Sequence, residues 1–136
     1  MGSAEVIVID THIWVRLILG TGRLSVAQRQ AIADNEGDRI GISAMSFWEI
    51  AKLVEHRKLD LGDDISAWFR ESLTYPGLTI LELTPEIAVA STSLPGTLDT
   101  TDPSDQIIVA TAIVHGCNLV TSDRDMINYP YVTTIS

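Results

Sequence analysis

Cysteine is nearly absent from this chain: Cys117 stands alone, so no internal disulfide can form, and its apolar neighbours mark it as a small buried side chain rather than a nucleophile. Long apolar runs are missing as well. The longest, around Ile107 to Val114, is interrupted by Thr111 and falls well short of the ~18 to 20 residues that a helical membrane span requires. The first five residues carry neither a basic segment nor a long apolar one, so no secretory leader is expected and the cytoplasm is the expected location. Bases are scarce too: nine Lys and Arg against eighteen Asp and Glu leave a net charge of −9. Phosphate affinity comes largely from counterion release by Lys and Arg, which excludes a general nucleic-acid-binding surface. Any nucleic-acid activity has to depend on a local site, and the acidic exterior suits a basic protein partner.

What is present is a chain with hydrophobic residues at 46% of its 136 positions, spread in short blocks, as expected for one globular domain spanning residues 1–136. Val6 to Ile9 is a β-branched run ending at Asp10, and Thr11 to Leu19 carries apolar residues at helical spacing up to Gly20. Ser25 can cap a helix to about Glu36, Arg39 to Ser43 reads as a strand, and Ser46 to Arg57 as an amphipathic helix. Asp63 or Asp64 caps the next helix, which carries Ile65, Trp68, Phe69 and Leu73 on one face and stops before Pro76-Gly77. Leu78 to Leu83 is a third strand, Thr84 to about Ser93 a short helix, and Pro95 to Thr101 a loop. Asp102-Pro103 opens a helix that reaches His115 and ends at Gly116. Asn118 to Thr121 is a fourth strand, Asp123 to Ile127 a short helix, and Val132 to Ile135 a last strand at the sheet edge. Short apolar strands alternating with helices predict an α/β fold, a three-layer α/β/α sandwich around a mainly parallel sheet of about five strands.

In such a sheet the C-terminal ends of parallel strands share one edge. Asp10 closes the first strand, Asp123 follows the fourth, and Glu49 lies one helical turn beyond the second. Asp105, in the first turn of the helix leading to the fourth strand, joins them if that helix begins at the same edge. Each acid also has a local explanation. Ser46 and Glu49 have capping-box spacing, Asp102 before Pro103 is a good N-cap with Asp105 in the helix's favourable first turn, and Asp10 and Asp123 can cap helices. Four carboxylates in one place, however, repel one another unless a cation compensates them. Oxygen-only donors point to Mg2+ or Mn2+ rather than zinc, and His12, His56 and His115 form no zinc-like set.

The segments Val8-Ile9-Asp10-Thr11-His12, Ser46-Phe47-Trp48-Glu49-Ile50, Asp102-Pro103-Ser104-Asp105 and Leu119-Val120-Thr121-Ser122-Asp123 together resemble the PIN-domain family, in particular the VapC-type toxins of bacterial toxin-antitoxin operons. The resemblance runs from about residue 6 to the C-terminus. It implies a metal-dependent endoribonuclease whose acidic set falls on Asp10, Glu49, Asp105 and Asp123, flanked by Thr11 and Thr121. Asp102 is a further acid at the rim, read as a helix cap with metal ligation as the alternative. Some members carry basic residues in that segment, where this chain has Thr100-Thr101, Ser104 and Gln106. Arg16, Lys52 and Arg124 are then the nearest candidates for the RNA backbone, with plain surface solvation as the alternative.

Trp14, Trp48, Trp68 and Phe69 fall at positions that helical spacing turns inward, toward core or interface packing rather than base stacking. The helix pair over residues 46–73 is where members of the family dimerise and receive a small cognate antitoxin, so a homodimer is expected. The implied reaction is in-line attack of water on a phosphodiester, leaving 5′-phosphate and 3′-hydroxyl ends, with Asp10 and Asp105 as the most direct ligands and Glu49 and Asp123 acting directly or through water. Two alternatives stand beside it: a non-catalytic PIN-like binding module, and an aspartyl phosphatase, which also places an Asp after its first strand but whose second acid is replaced here by His12.

Overall fold

The computed structural model describes residues 6–37 and 39–136, so the leaderless start expected for residues 1–5 lies outside the described residues. Five parallel strands, β1 (Ile7–Ile9), β2 (Ile40–Ser43), β3 (Leu78–Leu81), β4 (Asn118–Val120) and β5 (Thr134–Ile135), form one sheet in the order β3-β2-β1-β4-β5. The expected three-layer arrangement is present, with a sheet that is parallel throughout. Alternation along each strand divides the core. Ile7 and Ile9 of β1, Ile40 and Ile42 of β2 and Val120 of β4 point to one face, whereas Val8 and Leu119 point to the other.

The first face is covered by α1 (Thr11–Leu19), α2 (Val26–Asp34), α3 (Ala44–Glu55) and α4 (Ile65–Ser72), which contribute Ile13, Trp14, Ile32, Ile50 and Trp68 to a common cluster. Trp14 anchors it, packing against Phe47, Trp68 and Phe69 with ring centroids 4.7, 5.3 and 6.0 Å away. The second face is covered by α6 (Pro103–His115) and α7 (Arg124–Ile127), through Ile108, Val109, Ala112 and Met126, while α5 (Pro85–Ser91) packs on α6. Gly41 has no side chain where Leu81 of the neighbouring strand lies, and a Cβ there would overlap it. No helix among the described residues is long and apolar enough to cross a membrane.

The strand order fixes the position of the site. From β1 the chain runs through α1 and α2 to β2 on one side, and the connection from β3 then carries it past β1 to β4 on the other. The order therefore reverses between β1 and β4, and a crevice opens at the carboxyl ends of strands flanking such a switch point. Asp10 follows β1 and Thr121 follows β4.

Several local expectations shift. Asp64 is the cap of α4. The helix expected from Ser46 begins earlier, at Ala44, because the Ser43 side chain caps it by accepting from Met45 N. Ser46 is therefore inside the helix, and the capping-box explanation of Glu49 does not hold.

Candidate active site

Asp10 lies where β1 turns into α1, with only 3% of its surface exposed. Its Oδ1 accepts from the Thr11 amide at 2.7 Å and its Oδ2 from the Thr121 hydroxyl at 2.8 Å. Thr121 Oγ1 in turn accepts from the Asp123 amide at 3.0 Å, so one fully buried threonine ties the end of β1 to the start of α7. Asp123 caps α7, its Oδ1 accepting from Asp125 N at 2.8 Å and Met126 N at 3.2 Å. Both acids thus act as helix caps, as the local reading allowed, and stand at neighbouring strand ends as well.

Thr11 makes the link to α3. Its Oγ1 lies 2.7 Å from Glu49 Oε1 and 2.8 Å from the buried Ser46 Oγ. A hydroxyl has a single proton, and the charged carboxylate is the stronger acceptor, so Thr11 donates to Glu49 and accepts from Ser46. Asp105, in the first turn of α6, is held more loosely, accepting from the Thr100 hydroxyl at 3.3 Å. Asp102 is the N-cap of that helix, exposed, with Oδ1 accepting from Ser104 N at 2.9 Å.

These carboxyls act on one another's protonation. Burial pushes the Asp10 carboxyl above its ordinary range, and the Asp123 charge adds to the shift against opposing hydrogen bonds from Thr121 and Thr11 and the nearby His12. Burial also raises Glu49, with Asp10 and Asp102 adding to it against the Thr11 hydrogen bond and His12. Asp105 is pushed up to about 7, first by burial and then by the charges of Asp102, Asp10, Asp123 and Glu49. One carboxyl therefore feels the other four. Among the described residues no three of these groups close into a ready-made ligand cluster, so they share one field rather than one point. The donor set nevertheless fits a hard divalent cation: all its ligand atoms are oxygens, and the mutual repulsion is what such an ion relieves.

The remaining candidates separate clearly. Lys52 is paired with Glu55 at 3.1 Å and sits over the Trp48 ring, away from phosphate-binding geometry. Trp48, expected to turn inward, is 50% exposed and lines a shallow apolar hollow with Ala44, Met45 and Leu83. α3 packs on the core through Phe47, Ile50 and Val54, which turns the Trp48 face outward. Trp14, Trp68 and Phe69 are in the core as expected. Burial raises Cys117 to about 11, which suits a packed thiol and not a nucleophile. Sequence reasoning passed over Ser46 as a cap and did not count His12 among the neighbours of the acids. Its position two residues after Asp10 was the available signal.

Comparison with known proteins agrees with this architecture. The sequence model of the PIN domain matches residues 7–130. Ribonuclease VapC22 of Mycobacterium tuberculosis is 32% identical over 118 residues, 87% of each chain. Among solved structures, VapBC2 from Rickettsia felis bound to a DNA fragment from their promoter superposes with a TM-score of 0.69 at 17% identity, covering 95% of this chain and 96% of that one. A toxin-antitoxin complex from Klebsiella pneumoniae gives 0.63 at 23% identity, covering 93% and 95%. These two likenesses speak to the fold. With the family's sequence pattern running from β1 to beyond α7 and thus across every acid of the switch-point crevice, the chain belongs to the PIN-domain family.

Proposed function

We propose that this chain is a metal-dependent endoribonuclease acting in the cytoplasm as the toxin of a type II toxin-antitoxin module, with Asp10, Glu49, Asp105 and Asp123 as its catalytic carboxylates in a single domain. The observation that carries the reading is the environment of Asp105, a carboxyl faced by four others, in a chain whose 32% identical relative is named a ribonuclease. The ion is Mg2+, with Mn2+ as the alternative. Asp10 and Asp105 hold it most directly, Glu49 and Asp123 support it, and Asp102 remains a cap.

When bound, such an ion supplies Lewis-acid charge that eases deprotonation of the attacking water and offsets charge building on the phosphate. The protein's own part is positioning. Thr121 and the Thr11 amide fix Asp10, and Thr11 fixes Glu49, so two acids from different layers keep one spacing. A carboxylate oxygen not committed to a cap or a threonine holds the proton of the water as it attacks in line. The aspartyl phosphatase alternative loses its ground with the family match, and no observation favours an inactive binding module. The structural neighbour from Klebsiella pneumoniae is a toxin-antitoxin complex, which supports a small cognate antitoxin as partner. The exposed Trp48 on α3 suits a partner, or a second copy, seated on the α3–α4 side, and the net charge of −9 suits a basic partner there.

The test is end analysis of cleaved RNA. Cleavage that depends on Mg2+, stops with EDTA and leaves 5′-phosphate and 3′-hydroxyl ends is the expected result. Terminal 2′,3′-cyclic phosphates would mean attack by the RNA's own hydroxyl and would overturn the mechanism.

A further inference from the structure

Four of the chain's nine basic residues, Arg16, Arg23, Arg29 and Arg124, gather around Ser122, the residue between Thr121 and Asp123. A cleft of about 560 Å3 runs from Ser122 along Arg23, Ser25, Gln28 and Arg29, and a second of about 250 Å3 continues from Ser122 to Arg124 and Asn128. Among the described residues no Asp or Glu side chain lines either one, and Ser136 borders both. Among the described residues none of the four arginines lies within ion-pair distance of an Asp or Glu, although acids outnumber bases two to one. Arginines left unpaired side by side in an acidic protein gain from an anion that spans them, and a guanidinium suits phosphate oxygens in particular.

The cleft is built rigidly. Gln28 is 2% exposed; its Oε1 accepts from Ser25 N at 2.9 Å, and its Nε2 donates to Ser122 Oγ at 3.0 Å and to the Thr121 carbonyl at 3.3 Å. The capping box that starts α2 therefore also clamps that helix to the end of β4. Arg16 reaches the same serine, donating to Ser122 Oγ at 3.3 Å, while its stem packs under Gly22, whose φ of +71° bends the loop over it. Arg23 and Arg29 are thereby held in one cleft with Ser122, which stands between Thr121 and Asp123 in the chain.

We propose that this cleft is a phosphate-tracking site for the RNA strand as it leaves the carboxylate edge, with Arg23, Arg29 and Arg124 on successive backbone phosphates and Arg16 positioning Ser122. The proposal rests on the ribonuclease reading and assigns its substrate path. Because phosphate contacts are insensitive to sequence, it can be tested without the natural target.

The probe is a short mixed-sequence single-stranded RNA, fluorescently labelled, bound in EDTA to an Asp10→Asn background over a range of KCl concentrations. Replacing Arg23, Arg29 and Arg124 by Ala is expected to reduce the slope of log K against log salt by about 0.7 for each phosphate contact removed. Arg-to-Lys versions restore most of that slope, and also serve if the alanine set fails to fold by circular dichroism. Lys58→Ala with Arg70→Ala removes charge outside the cleft and is expected to leave the slope unchanged. In the cleaving protein the arginine changes raise KM and leave kcat in place. An unaltered slope, or an equal fall in cleft and control variants, overturns the proposal. Failure of the ribonuclease reading itself is seen earlier, as absence of both binding by the parent and cleavage by the wild type.

Discussion

Within residues 121–124 the chain passes from a threonine that holds an acid to an arginine that faces solvent, and the two regions joined there are built in opposite ways. The acids Asp10 and Glu49 are buried or half-buried, come from the end of β1 and the middle of α3, and are fastened by threonine hydroxyls. Arg23, Arg29 and Arg124 are exposed, come from a loop and two helix surfaces, and depend on Gln28 and Ser122 for their relative placement. Crowded, desolvated carboxylates weaken the fold, whereas exposed arginines cost it little. Strain is thus confined to the region that needs fixed geometry, while the region that needs only attraction is left at the surface.

The largest effect is expected from Asp10→Asn, which should abolish metal-dependent RNA cleavage and at the same time stabilise the metal-free protein. Asparagine is as good an N-cap; its Oδ1 can accept from the Thr11 amide and its Nδ2 donate to Thr121, whose own proton can turn toward Met126 Sδ at 3.6 Å. The same trade has a pH signature. Asp105 binds its proton up to about pH 7 in the folded chain but only to about 3.8 when unfolded. The folded state then carries the extra proton between those values, so metal-free stability is greatest below that window and falls as pH rises through it. Thermal melts from acid to neutral pH should show this fall. Mg2+ should lift the midpoint chiefly at and above pH 7, and Asp10→Asn should flatten the profile, because the Asp10 charge is one of those raising Asp105. A wild-type midpoint that did not change across the window would break the contrast between a strained and an unstrained region.

How far this contrast could be read from sequence differs between its halves. Strand-helix alternation was legible because the strands are short, apolar and sharply bounded, and the acids stood out because Asp10 directly follows β1 and Asp123 comes three residues after β4. The start of α3 was misplaced because Ser43 and Ser46 are both competent caps, and only the packing of Ser46 against Thr11 separates them. Trp48 was assigned inward because its neighbours Phe47 and Ile50 are apolar too, and only the packing shows that they, and not Trp48, form the core face. The arginine cleft was invisible except at Arg16 and Arg124. Arg23 and Arg29 lie about a hundred residues from Ser122 in sequence, and only the Gln28 clamp brings them beside it.

A smaller loss is expected from Thr121→Val, which keeps the shape of a buried side chain and removes one hydroxyl. Asp10 Oδ2 loses its donor and the Asp123 amide its acceptor. Losing a partner of this kind typically reduces metal affinity or activity about 10- to 100-fold. Leaving buried polar groups unpaired should also cost about 1–3 kcal/mol in an unfolding titration. Thr121→Ser should recover most of both. Because the arginine variants are expected to spare kcat, a Thr121→Val protein that altered KM alone would erase the distinction between holding acids and holding substrate.

Asp102→Asn marks the boundary of the acidic region and should have the smallest effect. The carboxylate is exposed and its Oδ1 caps α6, a role asparagine fills equally well. What disappears is its charge, the foremost of those raising Asp105. The Asp105 titration should therefore move down, which can be followed by carboxyl NMR. Stability should stay within about 0.5 kcal/mol, and a comparable barrier change corresponds to about a twofold change in cleavage rate. Asp102→Ala separates the two roles, because it should lose about 1 kcal/mol of capping while shifting Asp105 by the same amount. If Asp102→Asn instead lost cleavage as completely as Asp10→Asn, Asp102 would be a metal ligand, and the working site would extend across the α6 N-terminus to its exposed rim.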